Sequence, residues 1–148
     1  MYKHILLPYD GSELSDKALS EAIGLARGEK AKLTLLYVVG PHHLMVGAGS
    51  AVPGLKRLEK EYMEKIRTEA AAMLDAARQR AVAAGLDCVT VLEDGINAYE
   101  NIIETANRDR CDLILMASHG RRGLEGMIIG SQTNKVLTRA TVPVLVVR

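Results

Sequence analysis

Residues 112–133 read DLILMASHGRRGLEGMIIGSQT, and this stretch predicts the fold more strongly than any other part of the chain. Its first part, 113–116, is an uninterrupted apolar run, as a strand buried on both faces requires. Four glycines follow at positions 120, 123, 126 and 130, where the backbone can approach a ligand closely. Ser131 is then placed to cap a helix whose N-terminus favours an anion. The stretch therefore predicts a phosphate-binding loop at the carboxyl end of a parallel strand.

Length, composition and charge limit the remaining possibilities. The chain has 148 residues, which is typical of a single domain, and we expect one domain over 1–148. Its net charge is +1 at pH 7 without an evident cluster of Lys and Arg, which argues against a nucleic-acid partner. No apolar run approaches the ~20 residues of a membrane span. Lys3, His4 and Pro8 interrupt the segment where a signal peptide would need apolar residues. We expect no membrane partner and a cytoplasmic location.

Strand and helix patterns alternate along the chain. Five strands are predicted, at 2–7, 31–39, 87–92, 113–116 and 143–147. Helices are predicted from Ser12 to a closing Gly28, from 55 to Gly85, from a capping box of Asn97 and Glu100, and from Ser131. Because the strands are apolar on both faces, we expect a Rossmann-like α/β fold. It has a five-stranded parallel sheet, taken in the order 3-2-1-4-5, with helices on both faces.

This strand order predicts where a ligand would bind. In open parallel sheets, ligands lie outside the carboxyl ends of the strands, where the strand order reverses. Here that point falls between strands 1 and 4, so the turn 8–12 and the loop 117–130 share a crevice. Asp10 and the glycines should therefore meet across it.

Two other features depend on the same topology. The helix beginning at Leu55 would be roughly 45 Å long, so it should overhang the sheet or break near its start. The segment 40–54 precedes this helix and is the candidate lid. Cys88 and Cys111 would lie about three strand spacings apart, or ~14 Å, too far for a disulfide.

The sequence resembles a known family, the universal stress proteins, over nearly its whole length. The matching segments are ILLPYDGS at 5–12, CDLILMASHG at 111–120 and VPVLVV at 142–147. Nucleotide-binding members carry a glycine, two residues, a second glycine, nine residues, and then Gly followed by Ser or Thr. Here Gly120 and Gly130-Ser131 match this pattern, and Ala117 replaces the first glycine.

The resemblance implies an ATP-binding protein, with or without Mg or Mn, and usually a homodimer. It implies a regulatory or protective role in the stress response, through nucleotide-dependent conformation or partner binding, with little or no hydrolysis. The cofactor-binding residues that it implies are Pro8, Asp10, Val38, Met116, Gly120, Gly130, Ser131, Gln132 and Thr133. It also implies that the C-terminal strand, Val144–Val147, pairs two chains across the sheet edge.

The residues leave alternatives open. Asp10 could only shape its turn, and Ser131 could only cap its helix. Ala117 would block a nucleotide if the backbone there required a positive φ or direct contact. The chain could then be a nucleotide-free dimeric interaction module. A slow ATPase using His119 or Asp10 is a third reading, although no partnered base, catalytic residue set or metal-ligand spacing is evident, His42 and His43 included.

Overall fold

The computed structural model describes residues 1–40, 54–121 and 129–148, in which strands and helices alternate. The strands are β1 (His4–Pro8), β2 (Lys32–Val39), β3 (Cys88–Asp94), β4 (Leu113–Ala117) and β5 (Val144–Val147). The helices are α1 (Glu13–Glu29), α2 (Leu55–Ala83), α3 (Ala98–Arg108) and α4 (Ser131–Arg139). The candidate lid at 40–54, with its two histidines, lies almost entirely outside the described residues, as do Arg122, Gly123 and Gly126.

The strands form one sheet in the order β3-β2-β1-β4-β5, and each neighbouring pair is parallel. The predicted order is therefore confirmed. The reversal lies between β1 and β4, where Ile5 is paired with Leu113 and Leu6 with Ile114. Because β1 and β4 run in the same direction, the segments that follow them leave the same edge of the sheet side by side.

Helices cover both faces of the sheet, as predicted. Alternate residues of β4 point to opposite faces, so Leu113 and Leu115 join one core cluster and Ile114 and Met116 the other. The first cluster contains the buried stripes of α1 and α2, and the second those of α3 and α4. The core is almost wholly aliphatic because the chain contains neither Phe nor Trp.

The prediction for the third strand was wrong at its end. Glu93 and Asp94 were expected in a turn, but they continue β3 and pair with Val38 and Val39 of β2. The length of the neighbouring strand, rather than the polarity of these two residues, decides where the ladder stops.

Helix α2 is continuous over 29 residues and overhangs the sheet. Leu58 and Tyr62 in its N-terminal part are 62% and 47% exposed, whereas Ile66, Leu74 and Ala77 further along are buried. None of the helices in the described residues is both long and apolar enough to cross a membrane. Cys88, at the start of β3, and Cys111, before β4, are both buried and free, as the topology predicted.

The end of α1 also differs from expectation. Gly28 was expected to close the helix, but the helix continues through Glu29, and Lys30 adopts the left-handed conformation with φ 55°. The Lys30 N–H donates hydrogen bonds to the carbonyls of Ala26 and Arg27, so the last turn of α1 is closed without a glycine. Gly28 is therefore a helical residue in the last turn of α1.

This difference gives a stability test. A methyl group added at Gly28 meets open space, so Gly28→Ala should stabilise the protein by about 0.5–1 kcal/mol. The matched control is Gly85→Ala, which follows α2 at φ +84° and should destabilise by about 1–2 kcal/mol. Urea unfolding measures both changes. A loss of stability in Gly28→Ala would show that this glycine ends the helix after all.

Candidate functional site

A cavity of about 550 Å³ opens at the carboxyl ends of β1 and β4. Its volume lies within the range of small-molecule sites. Every cofactor-binding residue that the resemblance implied lines this cavity, from Pro8 at the end of β1 and Asp10 in the following turn to Thr133 on α4. The structure therefore brings the two predicted loops together at one site. Their contact with a ligand stays a prediction.

The two sides of the cavity differ in polarity. Toward β2 and β3, the lining side chains are mostly apolar and include Val38, Ile96 and Ile102. Toward α4 and the segments that follow β1 and β4, the lining includes the polar side chains of Asp10, His119 and Ser131. A ligand with one flat apolar part and one anionic part would match this division.

Asp10 links the two loops across the cavity. Its Oδ1 accepts the N–H of Ser12 at 3.0 Å, and its Oδ2 accepts the N–H of Arg121 at 2.8 Å. Gly120 makes this approach possible, because a Cβ at that position would lie 2.5 Å from Oδ2. Burial tends to raise the pKa of Asp10, but the hydrogen bonds from Ser12 and Arg121 outweigh it and hold the pKa below its ordinary value. Asp10 is therefore a carboxylate at neutral pH.

The N-terminus of α4 faces the same cavity, and its capping residue is Gly130. Ser131 was expected to cap this helix but is its first helical residue, and the cap position is taken by a glycine, which makes no side-chain capping bond. The first intrahelical bond runs from Asn134 N to Gly130 O at 2.9 Å. The N–H groups of 131–133 precede that bond, and no acceptor for them lies within the described ranges. They are the donors that an anion would use.

Gly130 serves the packing of the loop itself. Its N–H donates to the carbonyl of Ser118 at 2.7 Å, and an added Cβ would lie 3.2 Å from the Cβ of His119. Its φ of −69° is open to any residue, so contact, rather than backbone conformation, explains the glycine here.

Ala117, the departure from the family pattern, is the last residue of β4. Its backbone is extended, and its methyl group belongs to the core cluster with α1 and α2. Its carbonyl accepts the hydroxyl of the buried Thr133 at 3.1 Å, so this hydroxyl is committed within the fold. The backbone at this position therefore does not need a glycine for its conformation.

The start of α3 also lines the cavity, and the N-terminal cap of this helix differs from the predicted capping box. Asn97 makes no capping bond to the backbone; its Nδ2 instead donates to Glu100 Oε1 at 3.2 Å. The carboxamide oxygen of Gln132, on α4, accepts the Tyr99 N–H at 3.0 Å. Two helix N-termini thus meet at the cavity and are joined by one side chain.

Some residues that line the cavity were not predicted from the sequence. Ile96, which is 79% exposed, and Ala98 follow the end of β3 and lie on the apolar side. An exposed isoleucine directly after a strand that ends at the ligand-binding edge was the available signal. Arg121 also lines the cavity, and its guanidinium contacts the Met73 sulfur at 3.7 Å.

Similarity to known proteins assigns this chain to a family. The model of the universal stress protein family matches residues 1–148. This chain belongs to the universal stress protein family. It is 32% identical to universal stress protein YxiE of Bacillus subtilis over the full length of both chains.

Solved structures agree with this assignment. The structure of MJ0577 of Methanocaldococcus jannaschii aligns with a TM-score of 0.85 at 28% identity, covering 99% of this chain and 96% of the other. A universal stress protein in complex with cAMP aligns with a TM-score of 0.70, covering 99% and 97% of the two chains. At 24% identity, the latter shows a shared fold.

The Asp10 bridge of this universal stress protein can be tested without a ligand. Asp10→Asn places an amide where a carboxylate accepts two N–H groups, and it should cost about 1–3 kcal/mol at neutral pH. Because the native pKa of Asp10 lies below 3.8, its stabilisation is present above that value and is lost as the pH falls through the native pKa.

Urea unfolding of both proteins at neutral pH and in acid measures this difference, which should shrink in acid. Asp87→Asn is the matched control, because its side chain is exposed at the opposite edge of the sheet. An equal stability loss at both pH values would contradict the role given to the carboxylate.

Proposed function

We propose that this universal stress protein is a cytoplasmic ATP-binding protein with a regulatory or protective role in the stress response. Its output is nucleotide-dependent conformation or partner choice, with little or no hydrolysis. The observation that carries the proposal is the set of N–H groups at 131–133, which have no acceptor in the described part of the chain and belong to residues that line the same cavity as an apolar wall.

The parts of an adenine nucleotide match the two sides of the cavity. The purine would lie against Val38 and Ile96, where the lining side chains are apolar. The phosphates would accept the N–H groups of 131–133 and the Ser131 hydroxyl. The cAMP complex of a protein with the same fold supports an adenine nucleotide as the ligand class.

Binding rather than turnover is favoured by the state of the two candidate bases. Both oxygens of Asp10 accept backbone N–H groups and its pKa is low, so it is a weak base. His119 lines the cavity, and its Nδ1 lies 3.3 Å from the Ser118 hydroxyl, with no carboxylate partner in the described part of the chain. Mg or Mn would enter with the nucleotide, held by its phosphates.

Calorimetric titration with Mg-ATP tests the proposal directly, and Ser131→Ala sharpens it. This exposed residue opens α4, so losing its hydroxyl should weaken ATP binding roughly tenfold with little change in stability. Thr138→Ala is the matched control, since this hydroxyl lies on the same helix but outside the cavity lining.

Three results would separate the alternatives. The absence of ATP binding by the unaltered protein would favour the nucleotide-free interaction module. Phosphate release well above background, lost in His119→Ala, would favour the ATPase. Equal affinity of the unaltered protein and Ser131→Ala would show that the phosphates do not lie on the α4 N-terminus.

We also propose that two copies pair through β5, which is an edge strand. The carbonyls of Pro143 and Val147 accept N–H groups of the β4 segment, so alternation directs the backbone groups of Val144 and Val146 outward. Leu145 is 44% exposed on the same strand. An apolar edge with outward N–H and C=O groups favours pairing with a second chain, and a twofold axis would make that pairing antiparallel.

Val146→Pro tests this interface, because proline removes an outward N–H and leaves the bonds to β4 in place. We expect a dimer for the unaltered protein and a monomer for Val146→Pro in sedimentation velocity at micromolar concentration. Val146→Thr, which keeps the N–H and the branched shape, should remain dimeric. A monomeric unaltered protein would refute the interface.

A further inference from the structure

We propose that the Gln132 side chain has two simultaneous roles: its oxygen caps α3, and its amide N–H groups donate to the phosphate of the bound ligand. This inference rests on the proposed function, because it assigns a specificity-determining residue within the same site. It makes Gln132 the link between phosphate binding on α4 and the position of α3.

The orientation of the carboxamide follows from its partner. The Tyr99 N–H can only donate, so the Gln132 atom that lies 3.0 Å from it is the oxygen. The Nε2 group then occupies the other side of the carboxamide with two donors, and no acceptor for it occurs in 1–40, 54–121 or 129–148. Gln132 thus presents donors, not acceptors, to whatever binds beside it.

The position of these donors favours an anionic group. Gln132 lines the cavity in the first turn of α4, between Ser131 and Thr133, which line it as well. The positive ends of α3 and α4 both point here, since Ala98 and Ser131 begin the two helices and both line the cavity. A phosphate oxygen would satisfy Nε2 and the helix N-termini together.

The coupling to α3 has a second anchor further along the helix pair. The hydroxyl of the buried Tyr99 accepts a hydrogen bond from Arg139 Nη1 at 3.0 Å, and Lys135 lies 4.9 Å from the centre of its ring. Tyr99 is therefore held by α4 through its backbone and its side chain. A displacement of α4 on phosphate binding would carry α3 with it, because the two helices share these contacts.

Two substitutions separate the roles. Gln132→Glu keeps an oxygen acceptor for the Tyr99 N–H but replaces the donors with negative charge. Its thermal midpoint should match that of the unaltered protein, while its affinity for ATP falls by about tenfold or more. Gln132→Met removes the cap as well, and should lower the midpoint by roughly 3–5 °C.

Calorimetric titration with ATP and with adenosine, alongside thermal unfolding, gives the decisive comparison. Gln132→Glu should change adenosine affinity by less than about threefold, because adenosine carries no phosphate. Asn134→Asp is the matched control: it adds the same charge on α4, at an exposed residue outside the cavity lining, and should change ATP affinity by less than about threefold.

The outcomes distinguish this inference from the function on which it rests. If the unaltered protein binds neither ATP nor adenosine, the proposed function is wrong and the donor role falls with it. If it binds ATP and Gln132→Glu binds it equally well, or loses ATP and adenosine alike, the phosphate contact of Gln132 is wrong. An unchanged midpoint in Gln132→Met would refute the cap.

Discussion

The parallel pairing of β1 with β4 is the constraint on which the rest of this structure depends. It places two strands from opposite halves of the chain side by side with the same direction. Their following segments therefore leave one edge of the sheet together, and a crevice opens between them. The Asp10 carboxylate closes the base of this crevice by accepting the Arg121 N–H, which is possible because Gly120 has no side chain.

The same constraint explains the chemistry of the site. Helices α3 and α4 both begin at this edge, so the positive ends of their dipoles lie at one cavity. Asp10 keeps its negative charge, and both of its oxygens are already hydrogen-bonded to backbone N–H groups within the fold. The site therefore combines an anchored carboxylate with the N–H groups of 131–133, which have no acceptor among the residues that the structure describes.

The fold changes what the replacement of the family glycine by Ala117 implies. As a residue in a motif, it replaces a glycine and calls the loop geometry into question. As the last residue of β4, it is extended, its methyl group faces the core, and its carbonyl holds Thr133. The conformational reason for requiring glycine is absent at this position, which leaves ligand contact as the remaining test.

The sequence alone determined the α/β class, the strand order and, through its family resemblance, nine of the cavity-lining residues between Pro8 and Thr133. These follow from local apolar runs, glycine placement and a motif whose members act through the backbone. Tertiary structure decided the length of β3, which is set by pairing with β2, and the end of α1 at Lys30. It also decided which residue caps α3: Asn97 has the right local spacing, yet Gln132 makes the bond. The reason is physical, because a hydrogen bond between residues distant in sequence depends on how two helices pack, and local spacing carries no record of that packing.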